Sequence, residues 1–204
     1  MGLLSSSVSV MRYKVEGQLK EPITDTIAQA LKHNAFTEIE DEAEEKLSGW
    51  TSFVHPFSPD FEGSSYMFGT YLVFSLRIDK KSIPSKLVRK HYSIEADKKL
   101  AETGREYLSR SERLAIREHV LDVLTLRIPA SPNLYDLMWD YEAGMLWFFS
   151  TQKSANEELE SLFSKSFKLS LIRLFPYTMA DLTSGLSDIQ RNKIEQLSPT
   201  SFAD

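Results

Sequence analysis

Closely spaced lysines and arginines bind phosphate, and one stretch of this 204-residue chain concentrates them. Between Arg77 and Arg117 stand Arg77, Lys80, Lys81, Lys86, Arg89, Lys90, Lys98, Lys99, Arg105, Arg110, Arg113 and Arg117, half of the chain's 24 basic residues. Only six of its 29 acidic residues, Asp79, Glu95, Asp97, Glu102, Glu106 and Glu112, share that stretch, so twelve cations less six anions leave it at +6. The other twelve cations and 23 anions leave the remainder at −11. The whole chain is acidic at −5, but a polyanion responds to the local field of a surface and not to the molecular sum. At about 100° per helical residue, Arg110, Arg113 and Arg117 lie within about 60° of one another, a stripe expected opposite part of the apolar face. Lys86, Arg89 and Lys90 group on one side of the preceding segment, and Lys98 and Lys99 extend its charge. These eight residues are the candidate phosphate contacts. A merely solvated surface, or docking onto an acidic protein partner, is the alternative use of the same charge.

Other constellations promise less. His33, His55, His91 and His119 fall in separate segments without the i,i+3 or i,i+4 partners of a metal-binding motif. Cysteine is absent, which excludes disulfides, thiolate nucleophiles and Cys-based zinc sites. The sequence has no phosphate-cradling glycine loop, no G-x-S-x-G elbow and no H-E-x-x-H pair. The acidic run Glu38, Glu40, Asp41, Glu42, Glu44 and Glu45 could gather magnesium for a nuclease, because hard cations take grouped oxygens. Consecutive helical carboxylates point in different directions, however, so a solvated face is the expectation and neither metal nor cofactor is expected. Trp139, Tyr141, Trp147, Phe148 and Phe149 could stack bases, yet so apolar a hairpin is expected to bury its rings.

These residues need elements to hold them. Val8, Val10 and then Arg12, or after a bulge Tyr13 and Val15, alternate as a strand ending near Gly17. Pro22 opens a helix with Ile23, Ile27, Ala30 and Leu31 on one face. Gly49-Trp50 begins an aromatic loop with Phe53, Phe57 and Phe61, and Tyr66 to Ile78 reads as one strand. Pro84 starts a long helix to about Thr103, which Gly104 can end. Ser109-x-x-Glu112 has capping-box spacing for a second long helix that Pro129 stops, with Leu114, Val120, Leu121 and Leu124 as its apolar side. Leu134 to Tyr141, the turn Glu142-Ala143-Gly144 and Met145 to Ser150 make a hairpin. A helix over about 154–163 and a strand over Phe167–Leu174 follow, and beyond Thr183 the apolar density falls toward loose chain or a partly docked helix. No run approaches the roughly 18 apolar residues of a membrane span, so a cytoplasmic protein is expected.

Several segments together resemble the recombination-associated RdgC-type proteins of bacteria, some of which carry the name exonuclease. The matching stretches are Asn34-Ala35-Phe36-Thr37 with Gly49-Trp50, then Ile83-Pro84-Ser85 with the two long helices. Next come Arg105-x-x-x-x-Arg110-x-Glu112-x-x-x-x-x-Glu118-x-Val120-Leu121, and Met138-Trp139-Asp140 with Gly144 and Leu146. Their order and spacing agree over roughly residues 1 to 180. The resemblance implies a nucleoid-associated protein that binds DNA, double-stranded in the first instance, without sequence preference. It also implies a homodimer that closes a ring around duplex and restrains recombinase filaments. Typical members continue with a further C-terminal portion that helps close the ring. They have Pro-Arg-Ala-Phe where this chain has Leu126-Arg127-Ile128-Pro129.

The fold expected is α+β, with a β-rich central domain over 1–79 and 130–180, a protruding pair of long helices as a tip over 80–129, and a tail over 181–204. The function expected is sequence-independent binding to DNA phosphates, with modulation of recombination or replication. A metal-dependent exonuclease and a docking module for an acidic partner are the alternatives.

Overall fold

The computed structural model describes residues 2–38, 45–63, 65–183 and 185–197. Along the described residues the elements are β1 (Met11–Glu16), α1 (Ile23–His33), β2 (Lys46–Thr51), β3 (Met67–Phe68), β4 (Tyr71–Lys80), α2 (Ser85–Thr103), α3 (Arg110–Arg127), β5 (Ser131–Asp140), β6 (Met145–Phe148), α4 (Lys153–Phe167), β7 (Ser170–Arg173), α5 (Pro176–Thr183) and α6 (Asp188–Glu195). The strands join in the order β2-β4-β5-β6-β1-β7, with β3 on β4. The fold is α+β. Two compact units divide the chain, one from Met1–Asn34, Trp50–Leu76 and Tyr135–Asp204, the other from Ala35–Gly49 and Arg77–Leu134. The divide falls within β2, β4 and β5.

The core of the first unit follows from period-two burial in antiparallel strands. Pairing of β5 with β6 sets Trp139 against Leu146, and pairing of β6 with β1 sets Leu146 against Tyr13. All three are buried. From α4, Leu159, Phe163 and Phe167 recur at i,i+4 and are buried too, because that spacing returns side chains to one helical face. The Trp139 ring lies 5.0 Å from Phe163 and 5.1 Å from Phe167, edge to face, the arrangement that aromatic quadrupoles favour. The buried Tyr13 hydroxyl is satisfied, donating to Asn156 Oδ1 at 2.6 Å, and Asn156 Nδ2 donates to the Ser150 and Gln152 carbonyls, whereas the Trp139 Nε1–H has no hydrogen-bond partner among the described residues. Burial, more than the nearby Glu160 carboxylate, raises the Tyr13 phenol above its ordinary pKa. With Trp139 and Phe148 in the core, those two rings are not base-stacking platforms.

In the second unit the two long helices end where the sequence says they should. Pro84 caps α2 at its start, and Gly104, at φ 63°, ends it in the left-handed conformation that glycine adopts without a Cβ penalty. Ser109 and Glu112 form both hydrogen bonds of a capping box on α3. The helices pack against each other, yet α2 buries only Ala96 and α3 only Val120, Leu124 and Thr125.

Several expectations need correction. The first strand begins at Met11, not Val8, and takes the register that points Tyr13 inward. Gly49-Trp50 lies in β2 and not in a loop. A Cβ on Gly49 would stand 2.5 Å from the Phe36 Cα, so glycine is what lets the two backbones approach. The single strand over Tyr66 to Ile78 is instead β3 and β4 joined through Gly69-Thr70. α4 runs a full turn beyond residue 163, because Phe167 repeats the Phe163 position, and β7 starts only at Ser170. The last strand is correspondingly shorter than Phe167–Leu174. Among the described residues beyond Phe175, Pro176–Thr183 form α5 and Asp188–Glu195 form α6, with Arg191 paired to Asp181.

Candidate nucleic-acid interface

Three of the twelve cations in the basic stretch, Arg77, Arg105 and Lys81, are committed to the fold. Arg77 is 4% exposed. Its Nε and Nη2 donate to the two Asp79 oxygens at 2.8 and 2.7 Å, and its Nη1 donates to Glu38 Oε1 at 2.9 Å. The guanidinium also lies 4.0 Å over the Phe36 ring. Alternation along β4 puts Arg77 and Asp79 on one face. Bonding to Asp79 first, and to Glu38 next, holds the Arg77 pKa above its ordinary value. Arg105 pairs with Glu112, the same residue that closes the α3 capping box. Lys81 Nζ donates to the Thr125 carbonyl at 2.9 Å.

The eight candidate contacts differ from these. Lys86, Arg89, Lys90, Lys98, Lys99, Arg110, Arg113 and Arg117 are all exposed. Among the described residues none of them forms an ion pair. Arg113 and Arg117 stand one turn apart as a like-charge i,i+4 pair, which costs a helix a few tenths of a kcal/mol.

The structure divides the eight. Arg89, Arg110, Arg113 and Arg117 line a groove of about 970 Å³ between α2 and α3, together with Ile83, Val88, Tyr92, Leu114 and Leu121. Among the described residues none that lines the groove is acidic. Lys86, Lys90, Lys98 and Lys99 are not among the lining. Lys86, Lys90 and Lys98 sit more than about 90° around α2 from the groove-lining positions taken together, whereas Lys99 lies on that face two turns past Tyr92. The sequence grouping of Lys86, Arg89 and Lys90 is therefore split. The arginine stripe also runs alongside Leu114 and Leu121, one helical turn after Arg110 and Arg117, and not opposite the apolar residues.

A second basic cleft of about 900 Å³ was not legible in the sequence. Lys20, Lys32, His33, Lys165 and Lys168 line it. Positions 32, 33 and 165 fall in the last turns of α1 and α4 and 168 caps α4, where unpaired carbonyls favour cations. Lys168 Nζ accordingly donates to the Lys165 carbonyl at 2.9 Å. Only the packing of α1 on α4 brings these positions together, and no spacing signal marks them.

The acidic run over Glu38 to Glu45, expected to be a solvated face, lies largely outside the described residues. Of its members, Glu38 is bonded to Arg77. Among the described residues no group of His, Asp or Glu is placed to hold a metal ion. No described helix is long and apolar enough to cross a membrane.

Fold and surface define an α+β protein whose two long helices carry eight exposed cations that form no ion pair among the described residues. The chain belongs to the RdgC family: the family described as "Putative exonuclease, RdgC" matches it over residues 8–186. No curated protein matches it. Family membership points to a recombination-associated protein of the nucleoid.

Proposed function

We propose that this protein binds DNA through backbone phosphates without reading sequence, using Lys86, Arg89, Lys90, Lys98, Lys99, Arg110, Arg113 and Arg117. The observation that carries this is the set of eight exposed cations on α2 and α3 with no acidic partner among the described residues. Leaving like charges unneutralised is mildly unfavourable to a helix pair alone, and a polyanion relieves it. Binding proceeds by charge neutralisation and counterion release, and contacts to phosphate carry no base information. The working assembly is a homodimer in the nucleoid that duplex DNA stabilises by mass action, and exposed Tyr107 and Ile94 supply apolar surface for its interface.

Fluorescence anisotropy on two unrelated duplexes is the test. Neutralising about four to six phosphates makes log K fall against log salt with a slope of about −4 to −5. A flat salt response, or strong preference for one duplex, overturns the proposal. Labelled linear DNA with magnesium or manganese is expected to stay intact. Its degradation, abolished by substituting residues of the Glu38 to Glu45 run, would establish a nuclease instead. Sedimentation at several concentrations, with and without duplex, tests the dimer.

A further inference from the structure

The eight candidate cations are sorted by type, Arg127 at the far end of α3 standing outside them. Every one lining the groove is arginine, and the four of the eight outside its lining are lysines. Arginine offers a planar fork of donors that matches carboxylate or phosphate bidentately, and it is less strongly hydrated than an ammonium. It therefore tolerates a partly desolvated site beside apolar side chains, where lysine loses more hydration. The groove supplies such a site: Ile83, Val88, Leu114 and Leu121 form its aliphatic part, and Leu114 is left 57% exposed.

A duplex backbone offers this surface charge alone and leaves the aliphatic part wet. Covering it takes a ligand that carries anions and apolar groups together. Single-stranded nucleic acid has both, but its bases gain chiefly by stacking on aromatic faces, and among the described residues Tyr92 is the only aromatic in the lining. An acidic peptide matches the surface better. Arg113 and Arg117 are about 6 Å apart along α3. That is the rise between i and i+4 on a helix, and close to the roughly 6.6 Å between same-face residues of an extended strand. Either conformation can present carboxylates to the arginines and apolar anchors to the leucines.

We propose that the α2–α3 groove docks an acidic, amphipathic segment of a partner protein, in which Asp or Glu residues are interleaved with large aliphatic or aromatic ones. Charge complementarity and the exposed aliphatic side chains identify this occupant together. Because the same arginines belong to the phosphate footprint, peptide and duplex exclude each other. That exclusion rests on the DNA-binding reading, whereas docking does not.

The probe is a fluorescein-labelled synthetic peptide of alternating Asp with Leu and Phe, titrated by anisotropy at about 100 mM salt, where long-range attraction between exposed charges is screened. Two controls replace either the apolar residues by Ser or the Asp residues by Asn. The amphipathic acidic peptide is expected to bind about tenfold or more tightly than either control, a difference of about 1.4 kcal/mol or more. Leu114→Gln, at an exposed position that leaves folding intact, and the double variant Arg113→Ala with Arg117→Ala should each weaken it about tenfold. Equal binding of the Ser control overturns the proposal in favour of undirected charge. Oligothymidylate binding more tightly than the peptide, and sensitive to Leu114→Gln, assigns the groove to single-stranded DNA. Self-association abolished by Leu114→Gln assigns it to a second copy. Peptide binding that duplex fails to displace leaves docking in place and removes these arginines from the DNA footprint; duplex binding without peptide binding does the reverse.

Discussion

α4 and the α2–α3 pair are built from similar helix-forming residues and do opposite things with them. α4 buries six of its fifteen residues, Ala155, Asn156, Leu159, Leu162, Phe163 and Phe167. α2 buries one of nineteen and α3 three of eighteen. Residue choice on α4 is thus dictated by packing, and what it exposes is incidental. On α2 and α3 almost nothing is dictated by packing, and local devices hold the ends: the left-handed Gly104 and the Ser109–Glu112 box. Surface composition there is free to serve another purpose, so arginines gathered around an aliphatic groove call for a ligand in a way that scattered cations on α4 would not.

The sharpest way to break this contrast is to delete one large side chain from each region. Phe167→Ala should cost about 3–5 kcal/mol, since it empties a site touching Trp139, Phe163, Trp50 and Phe74. Leu114→Ala should cost less than about 0.5 kcal/mol. Thermal or urea denaturation measures both, and comparable losses would show that the helix pair hides a core of its own.

The same contrast holds between two arginines. Arg77→Ala removes the partner of Asp79, whose side chain is 6% exposed, and should destabilise by about 3 kcal/mol, the lower end for breaking a buried pair because Glu38 at its other side is in solvent. Its loss should not change the salt slope for DNA once folding is accounted for, and a changed slope would return Arg77 to the phosphate footprint.

Cap chemistry gives a smaller effect. Ser109→Ala should cost about 1 kcal/mol. Arg105 chiefly, and then the Ser109 backbone N–H, holds the Glu112 carboxyl at about 2, down from 4.5. A depressed carboxylate stabilises the fold above its unfolded value and loses that contribution as pH falls through the folded one. Helicity read by circular dichroism should therefore decline between pH 4.5 and 2, and Glu112→Gln should flatten that part of the profile.

The least effect on stability is expected where the effect on binding is largest. Replacing Arg113 and Arg117 together by alanine removes a like-charge pair, so stability should hold or rise by a few tenths of a kcal/mol. The salt slope for duplex should shrink by about 2. An unchanged slope would reduce the stripe to solvated surface.

What was legible in the sequence were the features fixed within a few residues. The ends of α2 and α3 were readable because Pro84, Gly104 and the Ser109–Glu112 spacing act locally. The β5–β6 hairpin was readable from its turn. β2 was missed because nothing near Gly49 signals a strand; its place depends on the backbone at Phe36. Arg77 was counted with the other cations although Asp79, two positions on along a strand, signals a local pair; only its second partner, Glu38, is distant in sequence. The eight candidate positions were legible as a charged set, but their division into a groove and its outside was not. That division depends on how α2 and α3 pack, whereas the arginine stripe's place beside the leucines does not: at about 100° per residue Leu114 and Leu121 fall within about 40° of Arg110.

Gly49 also sets a limit on how the chain can change. Single-nucleotide changes of a glycine codon that alter the amino acid all lead to residues with a Cβ, and that atom would meet the Phe36 backbone, which no rotamer can move aside. Phe36 in turn lies beneath the Arg77 guanidinium. A substitution at position 49 would therefore be felt as a disturbed ion pair at Arg77 and Asp79, so variation at these four positions should be concerted. A drifting lineage of this protein would hold them fixed as a block.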